Sequence, residues 1–238
     1  MRKNITISGS IERVVFATLF MDADDTIFDF GAAQKAALFA ACKELKISLS
    51  EEEYKLYDTI NLSHWKKLER GETTKERLVY ERFEDFFAKT GKTADVYEME
   101  ETYQTLLGEQ AFWWKGAREG VEKLSRKYDI FILTNGHAVT QFNRVKKSGL
   151  DKFVKDVFVS EAVGYNKPDK AYYDYCFKKS GADKEKTLCI GDSLTSDIQG
   201  GINAGMKTMW CNFSFAPTPP TPIDFIVYSW DDILSILL

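Results

Sequence analysis

Several features that define large classes of proteins are scarce in this 238-residue sequence. The formal net charge is −4, with 36 acidic against 32 basic residues, so the chain offers no basic field for a nucleic-acid backbone. It has no run of about 18 uncharged apolar residues, and so we expect no membrane-spanning helix. Polar residues such as Asn4, Glu12 and Arg13 interrupt any apolar segment of a signal peptide. We therefore expect a soluble, cytoplasmic protein that binds neither polymeric nucleic acid nor a membrane.

Cysteine, histidine and proline are also scarce. The two histidines, His64 and His137, are too isolated in the sequence to be proposed as ligands. Four of the five prolines lie in residues 217–222, which predicts a semi-rigid connector. The cysteines are far apart, form no CxxC pair and are interpreted as reduced thiols of the core; they are Cys42, Cys176, Cys189 and Cys211.

Apolar residues, in contrast, are plentiful. Hydrophobic residues make up 44% of the chain and aromatic residues 14%, which is enough for a sizeable core. After residue 117, short β-rich runs alternate with helical patterns, as is typical of parallel βαβ units. The predicted strands are 13–21, 129–134, 156–160, 187–191 and 207–211, with an edge strand at 223–227. The predicted helices of this part are 117–127, 138–148, 169–180, 194–204 and 230–237.

Residues 31–116 have a different pattern, with no convincing strand. Helices are predicted at 31–46, 50–62, 64–70, 74–90 and 94–113, with Gly71 and Gly91 marking turns. The sequence therefore predicts an α/β domain formed by residues 1–30 and 117–238, and an all-helical domain of residues 31–116 inserted into it.

Two carboxylates follow the first predicted strand. The run Asp22-Ala23-Asp24-Asp25-Thr26 comes directly after apolar residues 14–21, where a buried strand runs out into a loop. Alternate residues of an extended chain point to opposite faces, but a loop at this point can turn Asp24 back toward Asp22. Open α/β sheets bind their ligands at the carboxyl ends of central strands. The arrangement suits an acid/base and metal site.

Four short motifs lie at predicted strand ends, in a fixed order along the chain. They are Asp22-Ala23-Asp24-Asp25-Thr26, Thr134-Asn135-Gly136, Asn166-Lys167-Pro168 and the run from Gly191 to Asp197. Each is unspecific alone, but together, with their strand context, they resemble the haloacid dehalogenase superfamily over all but the first residues of the chain. The resemblance implies a doubly wound parallel α/β sheet in the strand order 5-4-1-2-3, with an inserted helical cap domain.

The resemblance also implies roles for individual residues. Asp22 matches the nucleophile that attacks phosphorus and forms an aspartyl phosphate. Asp24 matches the general acid and base that protonates the leaving oxygen and then deprotonates the hydrolytic water. Thr134 and Asn135 would bind phosphate oxygens, and Lys167 would stabilise the nucleophile and the transferring phosphoryl group. Without the resemblance, these positions are also compatible with a helix cap, an ordinary turn and a solvated lysine.

Asp22, Asp192 and a substrate phosphate would bring like charges together. Two such charges about 4 Å apart repel by roughly 4 kcal/mol at an effective dielectric constant of about 20. A divalent cation removes this repulsion, and oxygen ligands beside a phosphate suit Mg²⁺. By resemblance, the ligands are the carboxylates of Asp22 and Asp192 and the backbone carbonyl of Asp24. Asp197 would orient the ligands or Lys167, or else cap or salt-bridge the helix at 194–204.

One position narrows the resemblance to a branch of the superfamily. Asp25 stands where glycine usually follows the second aspartate, and aspartate tolerates unusual turn conformations. With Phe28-Asp29-Phe30 after it, this loop resembles the branch that contains pyrimidine 5′-nucleotidases. The inserted domain carries residues spaced like the helical cap of that branch: Asn61, Trp65, Glu69, Arg70, Gly71, Thr73 and Arg82. Trp65 could stack on a base that Asn61 or Arg82 hydrogen-bonds, although an aromatic residue at helical spacing is more often part of a core.

These features predict a Mg²⁺-dependent hydrolase of small phosphomonoesters, with nucleoside 5′-monophosphates as the first candidates. A sugar-phosphate phosphatase or a phosphomutase of the same superfamily is the alternative. A 2-haloacid dehalogenase attacks carbon and needs no metal, so Asp24 and Asp192 argue against it. A non-enzymatic binding scaffold predicts missing catalytic residues, whereas all the expected positions are filled.

Overall fold

The computed structural model describes residues 15–238, so the start of the predicted strand 13–21 lies outside the described residues. The described chain forms two compact units. The first, an α/β unit, comprises the chain up to Phe30 together with Ala111–Leu238. The second, a helical unit, comprises Gly31–Gln110 and is inserted after the first strand in chain order.

The α/β unit contains a parallel sheet, which has six strands within residues 15–238. The strands are β1 (Thr18–Met21), β2 (Asp129–Thr134), β3 (Asp156–Val159), β4 (Thr187–Gly191), β5 (Lys207–Cys211) and β6 (Phe225–Val227). Their order is β3-β2-β1-β4-β5-β6, and every neighbouring pair is parallel. The predicted doubly wound order 5-4-1-2-3 is confirmed, with β6 as the edge strand beyond β5.

The helical unit has four long helices in its described chain: α1 (Phe30–Glu44), α2 (Glu51–Glu69), α3 (Lys75–Thr90) and α4 (Val96–Gly108). The predicted break between 62 and 64 is wrong, because α2 runs unbroken through Ser63, whose hydroxyl donates to the carbonyl of Ile60 within the helix at 2.7 Å. A capping box begins α2, since Ser50 accepts from the Glu53 N–H and Glu53 accepts from the Ser50 N–H. No helix in the described part of the chain is long and apolar enough to cross a membrane.

The predicted helix 94–113 ends early, at Gly108. Residues 111–114 instead run beside the loop that follows β1: Asp29 N donates to Phe112 O and Trp114 N donates to Ile27 O, both at 2.9 Å. These backbone hydrogen bonds explain why this segment belongs to the α/β unit and why the helical unit ends before the predicted residue 116.

The remaining α-helices within residues 15–238 belong to the α/β unit: α5 (Ala117–Ser125), α6 (Ala138–Ser148), α7 (Ser160–Val163), α8 (Lys170–Ser180), α9 (Gln199–Ala204) and α10 (Trp230–Leu237). The short α7 begins at Ser160, the last residue of the predicted strand 156–160. Its four residues are too few to show a helical period in the sequence. The predicted helix 194–204 is divided into a π-helical turn, Leu194–Ile198, and α9.

Both faces of the sheet are buried. Successive side chains of β1 point to opposite sides, so Leu19 and Met21 pack in one apolar cluster while Phe20 packs in another. The first cluster includes side chains of α5 and α10, and the second includes Tyr172 and Tyr173 of α8. This two-sided burial explains the continuous apolar run of the first strand and leaves the strand ends open for a site.

Candidate active site

The predicted site residues meet at the carboxyl ends of the central strands. Strand β1 pairs with β2 on one side and with β4 on the other. Asp22 follows β1, Thr134 ends β2 and Asp192 follows β4. The Asp22 N–H donates to Ile190 O at 2.9 Å, which extends the β1–β4 pairing by one residue. The order of the strands therefore brings Asp22 and Asp192 to the same edge of the sheet.

Lys167 is buried and each of its three ammonium protons has an acceptor. Its Nζ lies 2.5 Å from Asp22 Oδ1, 2.7 Å from the carbonyl oxygen of Leu133 and 2.7 Å from Asp197 Oδ1. Burial alone lowers the pKa of Lys167, but the carboxylates of Asp197 and Asp22 outweigh it and raise the pKa well above its usual value. Lys167 is thus a fixed positive charge between two carboxylates.

Asn135 holds the backbone of Lys167. Its Nδ2 donates to Lys167 O and its Oδ1 accepts from Lys167 N, both at 2.9 Å. This contact fixes the side-chain amide on the Lys167 backbone and uses one of its two Nδ2 protons, so the backbone N–H of Asn135 and the second Nδ2 proton are the donors that it could offer to a phosphate. Thr134 Oγ1 accepts from Gly136 N at 3.1 Å, so its hydroxyl proton can be directed to a ligand.

Three aspartates form an acidic cluster beside Lys167. Asp22, Asp192 and Asp197 each have a carboxylate oxygen within 4.8 Å of the other two. Burial raises the pKa of Asp22 well above its usual value; Lys167 offsets part of this effect, and Asp197 and Asp24 add to it. Burial and the charge of Asp22 raise the pKa of Asp192 in the same way. Three carboxylates against one ammonium, with oxygen donors only, fit a divalent cation of the Mg²⁺ type.

Asp197 is less suited than the other two to be a direct ligand. Its Oδ1 accepts from Lys167, and its Oδ2 accepts from Ser193 N at 3.1 Å. The π-helical turn that carries Asp197 packs it against Gly191, where a Cβ would lie only 2.3 Å from Asp197 Cγ. Trp210 Nε1 donates to the Asp192 carbonyl at 2.7 Å and fixes that backbone. Asp22 and Asp192 are thus the carboxylates best placed to hold a cation.

Asp24 contacts two residues that belong to none of the four motifs. Gln141 Nε2 donates to Asp24 Oδ2 at 2.6 Å, and Arg144 Nη1 donates to Asp24 Oδ1 in an ion pair. Gln141 and Arg144 are one turn apart on α6, both buried. Their only sequence signal is a polar i, i+3 pair soon after a strand-end motif, and such a pair usually indicates a solvent-exposed face.

Asp25 shapes the loop that follows β1. It has a positive φ of 54°, its N–H donates to Phe28 O at 2.8 Å, and its Oδ1 accepts from Phe30 N at 3.1 Å. Aspartate is one of the few non-glycine residues that tolerate this conformation. The Asp25 side chain thus also closes the turn with a hydrogen bond that a glycine could not make.

The cap residues predicted to contact substrate lie in the helical unit. Asn61 Nδ2 donates to Gln34 Oε1 at 2.6 Å, and Asn61 Oδ1 accepts from Arg82 Nη1 at 2.9 Å. Arg82 also donates to Glu100 Oε2 at 2.5 Å. Asn61 and Arg82 therefore belong to one buried hydrogen-bond network, whereas Trp65 is half-buried and packs against a small apolar cluster at the α2–α3 turn.

The sequence matches a known family at the positions that form this site. Residues 16–205 match the haloacid dehalogenase-like hydrolase family. The chain belongs to this family. The predicted family and hydrolase class are therefore confirmed, and the motifs at 22–26, 134–136, 166–168 and 191–197 all fall within the matched residues.

Three relatives match most of the chain. The HAD-hydrolase YfnB of Bacillus subtilis (strain 168) is 39% identical over 206 residues, which cover 86% of this chain and 88% of YfnB. The pyrimidine 5′-nucleotidase PynA of Streptococcus pneumoniae (strain ATCC BAA-255 / R6) is 37% identical over 225 residues, 92% of this chain and 94% of PynA. The pyrimidine 5′-nucleotidase YjjG of Escherichia coli (strain K12) is 29% identical over 195 residues, 82% and 85% of the two chains. These similarities confirm the predicted branch of the family.

The fold is also that of a solved relative. A crystal structure of YfnB, described as bound to magnesium and as revealing interdomain movement, matches with a TM-score of 0.89 at 37% identity. The match covers 94% of this chain and 99% of that one.

Proposed function

We propose that this protein hydrolyses small phosphomonoesters through an aspartyl phosphate formed on Asp22, with Mg²⁺ bound beside it. The observation that carries the proposal is the position of Lys167, whose ammonium bridges Asp22 and Asp197 next to the carboxylate of Asp192. A buried cation beside a strand-end carboxylate holds that carboxylate in place for attack on a phosphoryl group. The names of PynA and YjjG support phosphate monoesters as the substrates.

In the first half-reaction, a carboxylate oxygen of Asp22 attacks phosphorus as the phosphorus–ester oxygen bond breaks. The electron pair of that bond goes to the ester oxygen, which takes a proton from Asp24 and leaves as an alcohol. Lys167, the Thr134 hydroxyl and the backbone N–H of Asn135 would stabilise the charge on the non-bridging phosphate oxygens.

In the second half-reaction, water attacks the phosphorus of the aspartyl phosphate and gives a proton to Asp24. The bond between phosphorus and the Asp22 oxygen breaks, so that inorganic phosphate leaves and both carboxyl groups return to their starting state. Asp22, Asp192 and the Asp24 carbonyl would hold Mg²⁺, which supplies positive charge against the three carboxylates and the phosphate.

The proposed substrate class is nucleoside 5′-monophosphates, of pyrimidines in particular. The proposal rests on the similarity to PynA and YjjG and on the Asp25 loop. We further propose that the helical unit acts as the cap domain and contributes substrate specificity. Because Asn61 and Arg82 are tied into an interior network, we expect them to support the shape of the cap as well as any contact they make with a base.

Phosphate release tests the proposal. A screen of nucleotides, sugar phosphates and 4-nitrophenyl phosphate with Mg²⁺ should show phosphate release, with pyrimidine 5′-monophosphates among the best substrates. Asp22→Asn should lower the rate by more than about a thousandfold while the fold is kept, because the nucleophile is lost. Asp174→Asn, at an exposed surface ion pair with Lys170, is the matched control and should retain full activity.

Three results would contradict parts of this proposal. Full residual activity of Asp22→Asn would remove the nucleophile assignment. Conversion of a sugar phosphate to its isomer without phosphate release would favour a phosphomutase. Activity that persists in excess EDTA would exclude the proposed metal.

A further inference from the structure

Asp24 lies on a loop, yet both of its carboxylate oxygens are held by one helix. Gln141 donates to Oδ2 at 2.6 Å and Arg144 donates to Oδ1. We propose that Gln141 and Arg144 are positioning residues that orient Asp24 for proton transfer to the leaving oxygen of the substrate. The inference deepens the proposed function and depends on the role proposed there for Asp24.

Arg144 is itself immobilised. Its side chain is 0% exposed, and its guanidinium carbon lies 5.0 Å from the ring centroid of Phe28 and 5.8 Å from that of Phe30. Phe28 is fully buried, and its N–H donates to Ala23 O at 2.8 Å, inside the same loop as Asp24. A guanidinium stacked on rings loses little freedom when it pairs with a carboxylate, so Arg144 is a preorganised anchor.

The side chain of Gln141 occupies space that is available because residue 136 is a glycine. A Cβ at Gly136 would lie 2.2 Å from Gln141 Nε2 and 2.7 Å from Gln141 Cγ. The absence of a side chain in the loop after β2 therefore lets Gln141 reach Asp24 while it is itself 2% exposed. Its amide carries a donor and an acceptor, so a rotation of the amide would let Gln141 bond to Asp24 with or without the transferred proton.

The restraint matters because proton transfer is sensitive to distance. A general acid must come within about 2.6–3.2 Å of the atom that it protonates. The side chain of Asp24 is 23% exposed, so without α6 it would sample several rotamers in a partly solvated loop. Two buried partners on a single helical turn restrict it to one.

Leaving-group chemistry separates a positioning role from a structural one. When the phosphorus–oxygen bond of an alkyl phosphate breaks, the electron pair falls on an alkoxide oxygen that needs a proton from Asp24. The 4-nitrophenolate ion is stable as an anion and needs none. The value of kcat/KM reports the steps up to release of the leaving group, so it is independent of the later hydrolysis of the aspartyl phosphate.

The test compares kcat/KM for uridine 5′-monophosphate and 4-nitrophenyl phosphate in Arg144→Met and Gln141→Leu. Since general acid catalysis is worth about 10²–10⁴-fold, we expect Arg144→Met to lose about 100-fold on the nucleotide and less than about threefold on the aryl ester. Gln141→Leu should show the same selectivity with a smaller loss, and Arg144→Lys should recover part of it. Asn143→Ala, exposed on the same helix, is the control and should match the wild type on both substrates.

Each outcome decides the inference. An equal loss on both substrates in Arg144→Met and Gln141→Leu would show a merely structural role and overturn it. If Arg144→Met does not fold, the substrate selectivity of Gln141→Leu alone supports or refutes the positioning role.

Asp24→Asn separates the inference from the proposed function. A substrate-selective loss in Asp24→Asn without one in the α6 variants would refute only the positioning role. No selective loss in Asp24→Asn would refute the acid role itself. When both hold, Arg144→Met in the Asp24→Asn background should cause no further selective loss.

Discussion

Each unit of this protein buries a charged network, and the two networks differ in their balance of charge. In the helical unit, Arg82 pairs with Glu100 at 2.5 Å, with side chains only 1% and 8% exposed. The guanidinium lies 4.9 Å from the ring centroid of Phe83 and 5.0 Å from that of Tyr103. One positive charge thus meets one negative charge inside an aromatic core, and the pair needs no outside partner.

The α/β unit places one ammonium, that of Lys167, among three carboxylates. Burial and mutual repulsion raise the pKa values of Asp22 and Asp192. The negative charge of the cluster is therefore only partly compensated within the protein. Buried charge alone therefore does not indicate a site. A buried cluster whose charge the surrounding groups leave partly uncompensated, at the open ends of strands, does indicate a site.

Breaking the Arg82–Glu100 pair should have the largest effect on the stability of the protein. Glu100→Gln leaves the Arg82 charge buried without its counter-ion, and the free energy of unfolding should fall by about 3–5 kcal/mol. Chemical denaturation measures this change. Glu101→Gln, exposed on the same helix, should change stability by less than about 0.5 kcal/mol. A small loss in Glu100→Gln would mean that Arg82 finds another partner.

Thiol labelling can locate that destabilisation. Burial raises the pKa of Cys42, in the helical unit, to about 11 and that of Cys176, in the α/β unit, to about 12. A raised pKa keeps both thiols protonated at pH 8, so alkylation requires local opening of the structure.

In Glu100→Gln we expect Cys42 to be alkylated about 10²–10³-fold faster, as a loss of about 3–5 kcal/mol in the helical unit implies, while the rate of Cys176 is unchanged. Peptide mass spectrometry of time points measures both. Equal acceleration of the two cysteines would show that the two units open together, and the two networks could not then be treated as independent.

The sequence predicts the α/β unit well because its signals are local. Apolar runs mark the strands, and the motifs at their ends place Asp22, Thr134 and Asp192. What it misses depends on distant contacts: Asp24 meets Gln141 and Arg144 across 117 and 120 residues. Polar residues on a helix are usually solvated, so nothing local distinguishes a pair that turns inward.

The helical unit shows the same limit. Asn61 and Arg82 have the spacing of a known cap, but spacing cannot show that they bind each other in the interior. The π-helical turn at 194–198 is equally hidden, because its residues are compatible with an ordinary helix. Its consequence, the approach of Asp197 to Gly191, is visible only in three dimensions.

That approach predicts an intermediate effect in the α/β unit. In Gly191→Ala the new Cβ would lie 2.3 Å from Asp197 Cγ, and such overpacking typically costs about 1–3 kcal/mol. Asp197 must move away from Lys167, so phosphatase activity should fall together with stability. Gly91→Ala, where φ is +68° but nothing lies within 4 Å, strains the backbone without a clash; it should leave activity unchanged and so separates the contact with Asp197 from a general loss of stability. Unchanged activity in Gly191→Ala would mean that Asp197 does not help to hold Lys167.

The smallest change in stability should come from the unbalanced cluster, and with the opposite sign to that of Glu100→Gln. Asp192→Asn removes a like charge, so the metal-free protein should be as stable as the wild type or up to about 1 kcal/mol more stable. The wild-type melting temperature should rise with added MgCl₂, because a ligand that binds only the folded state stabilises it, and Asp192→Asn should lose this rise. Asp174→Asn, at the surface, should keep it. A large destabilisation of metal-free Asp192→Asn would show that the charges of the cluster are as well balanced as those of the Arg82–Glu100 pair. The distinction between the two networks would then fail.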